Sequence, residues 1–181
     1  MPMRRLASLA IALCATTAMA SDEPRTFNVA PNATIETGDT FIQDGERYRL
    51  YGVQACLPGT TVQLANGEAE DCGSVSISGL AGLMRDTAPQ CVEIGRSEWR
   101  GMPYVFASCS MAIAGRNVEL GTALIASGLA FASLTPDGAP VHTPYLAAEA
   151  VAQEQKQGIW SSKAFVHPAQ ALLRLKKPSN G

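Results

Sequence analysis

From Thr34 to Val53 the chain reads TIETGDTFIQDGERYRLYGV, apolar and polar residues alternating around a single Asp44-Gly45 pair. Alternation of period two is the signature of half-buried strands, and Asp-Gly between two such runs is a strong hairpin signal. A chain built on this hairpin must bury one face of a sheet. The remainder therefore has to supply a second layer.

The rest of the sequence supplies it in an ordered way. CLPGTTVQLANGEAEDCG is loop-like, punctuated by Pro58, Gly59 and Asn66-Gly67. In GSVSISGLAGLMRDTA, Val75, Leu80, Leu83 and Met84 line one helical face, and Pro89 ends the segment. QCVEIG and MPYVFASCSMAIAG read as strands. GRNVELGTALIASGLA reads as a helix, with Asn117 as cap, Glu119 in the first turn and Gly128 at the end. TPDGAP is a turn, and HTPYLAAEAVAQEQKQGIW is the strongest helix, with Thr143 capping, Pro144 first and Gly158 stopping it. Ile159 and Trp160 follow as an apolar plug. Strands, a helix, strands and two helices predict a β-rich α+β fold: a five-stranded Greek-key barrel of the OB type with three packed helices.

Compartment follows from the first residues and the cysteines. Arg4 and Arg5, the apolar LASLAIALCA and the small-residue AMA predict a signal peptide over residues 1–20. The apolar run is too short to span a bilayer. Residues 21–33 are a polar, Pro-containing lead-in, 34–165 the domain, and 166–181 a basic tail with Arg174, Lys176 and Lys177. Loss of the leader takes Lys+Arg from 14 to 12 against 16 Asp+Glu, a net charge of −4. That balance argues against tight nucleic-acid binding through a broad basic surface.

Five cysteines less Cys14 of the leader leave Cys56, Cys72, Cys91 and Cys109. An even set in an exported chain implies two disulfides, in one of three pairings. Cys56 with Cys72 and Cys91 with Cys109 is favoured: the first ties down a Gly-rich loop, the second joins neighbouring strands. Zinc is disfavoured, because no Cys-x-x-Cys exists and His142 and His167 lack ligand spacing. Both histidines are expected at the surface or in loops. The expected location is periplasmic or secreted, the expected state a monomer without a membrane span.

Four stretches carry a resemblance: GDTFIQDGERYRLYGV, CGSVSISGLAGLM, NVELGTALIASGLAFA and YLAAEAVAQEQKQGIW. In this order and spacing the chain resembles a staphylococcal-nuclease-type (thermonuclease) domain of the secreted, disulfide-bearing alphaproteobacterial type, over roughly residues 34 to 165. The resemblance implies the OB barrel and calcium-assisted phosphodiester hydrolysis. That chemistry takes two carboxylates for the cation, a glutamate to activate water and two arginines on the phosphate.

By that resemblance Asp39 is the first metal carboxylate and Arg49 the first arginine, both present. Gln54 stands where the second carboxylate belongs, Leu57 where the glutamate belongs and Tyr104 where the second arginine belongs. Leu57 can move no proton and Tyr104 carries no positive charge. Losing a general base costs about 10²–10⁴ in rate. Arg100, Glu68, Glu70 and Asp71 are the substitutes to weigh, with Asp71 equally suited to cap the first helix. Phe41, Tyr48, Tyr51, Trp99, Tyr104 and Phe106 could stack on a single strand, though most suit the core; Trp99 and Tyr104 flank the expected cleft, and with Arg100 they are the candidate binding residues.

The expectation is a nuclease-like shell with a degenerate site, binding a protein, a polysaccharide or a single-stranded nucleic acid, or serving as a scaffold. Rhizobial members of the family are associated with exopolysaccharide (succinoglycan) biosynthesis. The competing expectation is a calcium-dependent phosphodiesterase with substituted residues. No cofactor is required by the sequence; calcium at Asp39 is the candidate.

Overall fold

The computed structural model describes residues 24–163 and 165–176. The expected leader lies outside the described residues, as does the end of the basic tail from 177 onward.

The strands are β1 (Thr26–Asn28), β2 (Thr34–Thr37), β3 (Thr40–Gln43), β4 (Glu46–Leu50), β5 (Val53–Gln54), β6 (Thr61–Gln63), β7 (Ala69–Asp71), β8 (Gln90–Trp99), β9 (Met102–Ile113), β10 (Arg116–Glu119) and β11 (Phe131–Ala132). The helices are α1 (Cys72–Thr87), α2 (Leu120–Ala126), α3 (Pro144–Glu154) and α4 (Pro168–Lys176), with a 3-10 turn at Gly158–Ser161. The main sheet runs β1-β8-β9-β4-β3-β2, with β10 also on β9. Its pairs are antiparallel except β4 with β9. The result is a β-rich α+β molecule, a curled half-barrel with helices packed on it, as expected of an OB-like fold.

The hairpin signal holds: Asp44 (φ 53) and Gly45 (φ 78) join β3 to β4, both in the left-handed region such a turn needs. Phe41 and Leu50 point inward and are fully buried, as are Leu80 of α1 and Leu120, Leu124 and Ile125 of α2. Gly38, in the β2–β3 turn, lies directly beneath α1: a Cβ there would stand 2.3 Å from Ser76 Cβ. Both favoured disulfides form, Cys56–Cys72 with Cα atoms 5.4 Å apart and Cys91–Cys109 with 3.9 Å.

Several local expectations shift. Asn117 does not cap α2; it lies in β10, and Glu119 is the cap, accepting from the Gly121 and Thr122 N–H groups. A glutamate one residue before the helix reaches both free donors, and the β10–β9 ladder holds Asn117 extended. Thr143 precedes Pro144 but makes no side-chain cap bond, because its backbone is already helical. The loop after Cys56 contains the β6–β7 hairpin, residues 26–28 of the lead-in pair with β8, and most of the described tail is α4.

Both histidines lie in loop segments, as expected, and both are half-buried. His167 Nε2 lies 2.7 Å from Glu149 Oε1, with its ring edge-on to Phe131. Its Nδ1 accepts from Ala169 N–H at 3.2 Å, so Nε2 carries the hydrogen toward Glu149. His142 packs on Tyr145.

Candidate functional site

A cleft of about 770 Å³ opens on one side of the half-barrel. Asp39, Arg49, Gln54, Leu57, Trp99, Arg100 and Tyr104 all line it. The sheet explains how distant positions meet. Thr40 pairs with Arg49 across β3–β4, and Arg49 pairs with Phe106 across β4–β9. The Leu50 N–H donates to Asp39 O at 2.9 Å, fixing the turn before β3 against β4. Trp99 and Met102 flank the two-residue turn of Arg100 (φ 52) and Gly101 (φ 76) that joins β8 to β9, and Tyr104 follows two residues along β9, opposite Ser97.

Asp39 is the best-connected side chain in the cleft, and only 3% exposed. Its Oδ1 accepts from Thr37 Oγ1 at 2.6 Å and Thr40 Oγ1 at 2.9 Å. Its Oδ2 accepts from Arg49 Nη2 at 3.0 Å and Ala55 N–H at 3.0 Å. Arg49 Nη2 also donates to Gln54 Oε1 at 3.3 Å, and Gln54 Nε2 donates to Ala55 O at 2.9 Å. A carboxylate offers about four acceptor positions, so this one is satisfied by protein donors alone.

The loop that carries Leu57 is anchored at Cys56 before it and by the Gly59 N–H to Asp71 after it. The Cys56 N–H donates to Ser76 Oγ at 3.0 Å, and Ser76 Oγ donates to Leu129 O at 2.6 Å. The Cys56–Cys72 bond then ties the loop to the first residue of α1. An aliphatic side chain thus holds a defined place on the cleft wall and offers no proton acceptor.

The acidic substitutes fall elsewhere. Asp71 caps α1, accepting from Ser74 N–H at 2.9 Å and Gly59 N–H at 2.6 Å; these bonds hold its carboxyl below the usual range. Glu68 bonds within its own turn to Asn66. Neither they nor Glu70 line the cleft. Arg100 does line it, its guanidinium stacked 4.5 Å from the Trp99 ring centroid.

Two charged residues of the cleft escaped the sequence reading. Glu36 of β2 pairs bidentately with Arg47 of β4, at 2.6 and 2.9 Å. That hydrogen-bonded guanidinium lowers the Glu36 pKa. Glu36 sits at the register shift between Ile35 and Thr37, and its meeting with Arg47 across β3 has no local signature. Ala169 and Leu172 of α4 also line the cleft, from a segment expected to be tail.

Calcium takes about six to eight oxygen ligands. The donor set here does not fit it. Both Asp39 oxygens hold protein donors, Gln54 Oε1 is engaged by Arg49, and no three His, Cys, Asp or Glu cluster among the described residues.

No family model matches the chain, and no curated protein matches it. Among solved structures it is similar to the extended Tudor domain of Drosophila melanogaster Tudor-SN (p100), at 18% identity and a TM-score of 0.42. The similarity covers 64% of this chain and 47% of that one, so this chain spans about half the length of that neighbour.

Proposed function

We propose that the chain is an exported, staphylococcal-nuclease-like OB module whose cleft binds a partner and does not hydrolyse it. One observation carries this reading. The cleft sets a hydrogen-bond-saturated Asp39 beside Leu57 and Tyr104, the positions where the resemblance calls for the water-activating base and the second arginine. Binding is supported by the tip of the β8–β9 arm. Trp99 is 57% exposed and carries Arg100 on its face, beside Tyr104 and Met102. An exposed indole with a stacked cation suits a planar base or a sugar face. Export is supported by two disulfides and by the absence, among the described residues, of a helix long and apolar enough to cross a membrane.

The partner is a protein, a polysaccharide or a single-stranded nucleic acid, and a titration panel separates them. Trp99 and Trp160 are the two tryptophans, so Trp160→Phe leaves Trp99 as the only indole reporter. Saturable fluorescence change with one ligand class, the ligand recovered intact and the response lost in Trp99→Ala, is the expected result. Cleaved ligand in the same tubes refutes the reading.

The second reading, a weak phosphodiesterase with substituted residues, has one observation in its favour: Glu36 and Arg100 line the same cleft as Asp39. Against it, the bidentate Arg47 keeps Glu36 a poor proton acceptor. Turnover that vanishes in Glu36→Gln would establish it.

A further inference from the structure

We infer that the Arg49 guanidinium is the resident counter-cation of the Asp39 pocket, and that the pocket takes no divalent metal. The pocket is neutralised from within: the one buried carboxylate has the one guanidinium against it, and Gln54 turns its amide oxygen to the same Nη2. Arg49 is held there by a strand paired on both sides, to β3 through Thr40 and to β9 through Phe106. A divalent ion entering at Oδ2 would have to displace both Nη2 and the Ala55 N–H, which the disulfide-tied loop presents. At Oδ1 it would displace two threonine hydroxyls. In either place it would lie close to a guanidinium that cannot lose its proton, with a neutral amide where a second carboxylate would compensate. The replacement of a carboxylate by Gln54 and the inward placement of Arg49 therefore act together: the amide leaves a single negative charge, and the guanidinium fills it.

This does not rest on the binding reading. Metal-independent turnover would refute that reading and leave this inference intact; calcium uptake without turnover would do the reverse. The test uses the full chain with its disulfides formed. Calcium chloride titrated in a calorimeter should give no saturable heat, and the melting temperature should be the same in calcium and in chelator. In the double variant Arg49→Gln, Gln54→Asp, the guanidinium is gone and a second carboxylate is present. Calcium should then raise its melting temperature by about 5 °C over chelator. Saturable calcium binding by the wild type, lost in Asp39→Asn, overturns the inference. So does a folded double variant as indifferent to calcium as the wild type. The wild-type titration decides alone if the double variant does not fold.

Discussion

Replacing Asp39 by alanine strands the Arg49 guanidinium, two threonine hydroxyls and the Ala55 N–H at once. Breaking one side of a buried ion pair costs about 3–5 kcal/mol, and the one-third exposure of Arg49 places this case near the lower figure. Urea melts should show that loss, and Asp39→Asn, which keeps the shape and one acceptor oxygen, should lose less. A second residue-scale prediction concerns pH. Arg47 lowers the Glu36 pKa from an unfolded value of about 4.3. A depressed carboxyl pKa gives stability that is present above the unfolded value and lost as pH falls through the folded one. Glu36→Gln should therefore flatten the acid side of the stability profile, read as urea midpoints between about pH 5 and 3. The grouping of Asp39, Arg49, Gln54, Leu57 and Tyr104 in one cleft was legible only through the family resemblance, with Trp99 and Arg100 placed beside it; all seven line the cleft. Glu36 with Arg47, and His167 with Glu149, were not: each pair depends on distant backbone meeting, which charge and spacing along the chain do not encode.

At the scale of elements, Tyr145, Glu149, Ala152 and Gly158-Ile159-Trp160 are packing residues. Tyr145 is buried against Gly121, where a Cβ would stand 2.4 Å from the phenol oxygen; burial, then the Glu119 carboxylate, push that phenol's pKa well up. Glu149 accepts from the Ala132 N–H at 2.8 Å and holds His167 in front of α4. Ala152 and Ile159 are fully buried, and Gly158 lets the chain pass over Gly128. None of this depends on phosphate chemistry. At the same scale, the Cys56–Cys72 bond closes a separation of 16 residues and should contribute about 3 kcal/mol, measured as the urea-stability difference between wild type and the Cys56→Ser, Cys72→Ser double variant. Gly38→Ala should also destabilise, by about 1–3 kcal/mol, because α1 must move away from the turn that carries Asp39. The existence of α1, α2 and α3 was readable from apolar faces and Pro or Gly stops; that of α4, in the expected tail, was not. The α2 cap was misplaced because the strand preceding it claims Asn117 through cross-strand pairing.

For the whole molecule, the β-rich character followed from the alternation and the turns, and the OB-like barrel from the family resemblance. The extent of the sheet did not, since β1 and β10 add to it through pairings with distant β8 and adjacent β9. What emerges is a half-barrel with a cleft whose two carboxylates are already matched internally, Asp39 with Arg49 and Glu36 with Arg47. Such a cleft can present Trp99 and Arg100 to a partner. The most direct measurement is the initial rate of phosphodiester hydrolysis by the purified wild type on denatured DNA, in calcium and again in chelator. The account predicts no product above the protein-free control in either. Calcium-dependent product that disappears in Asp39→Ala would contradict it.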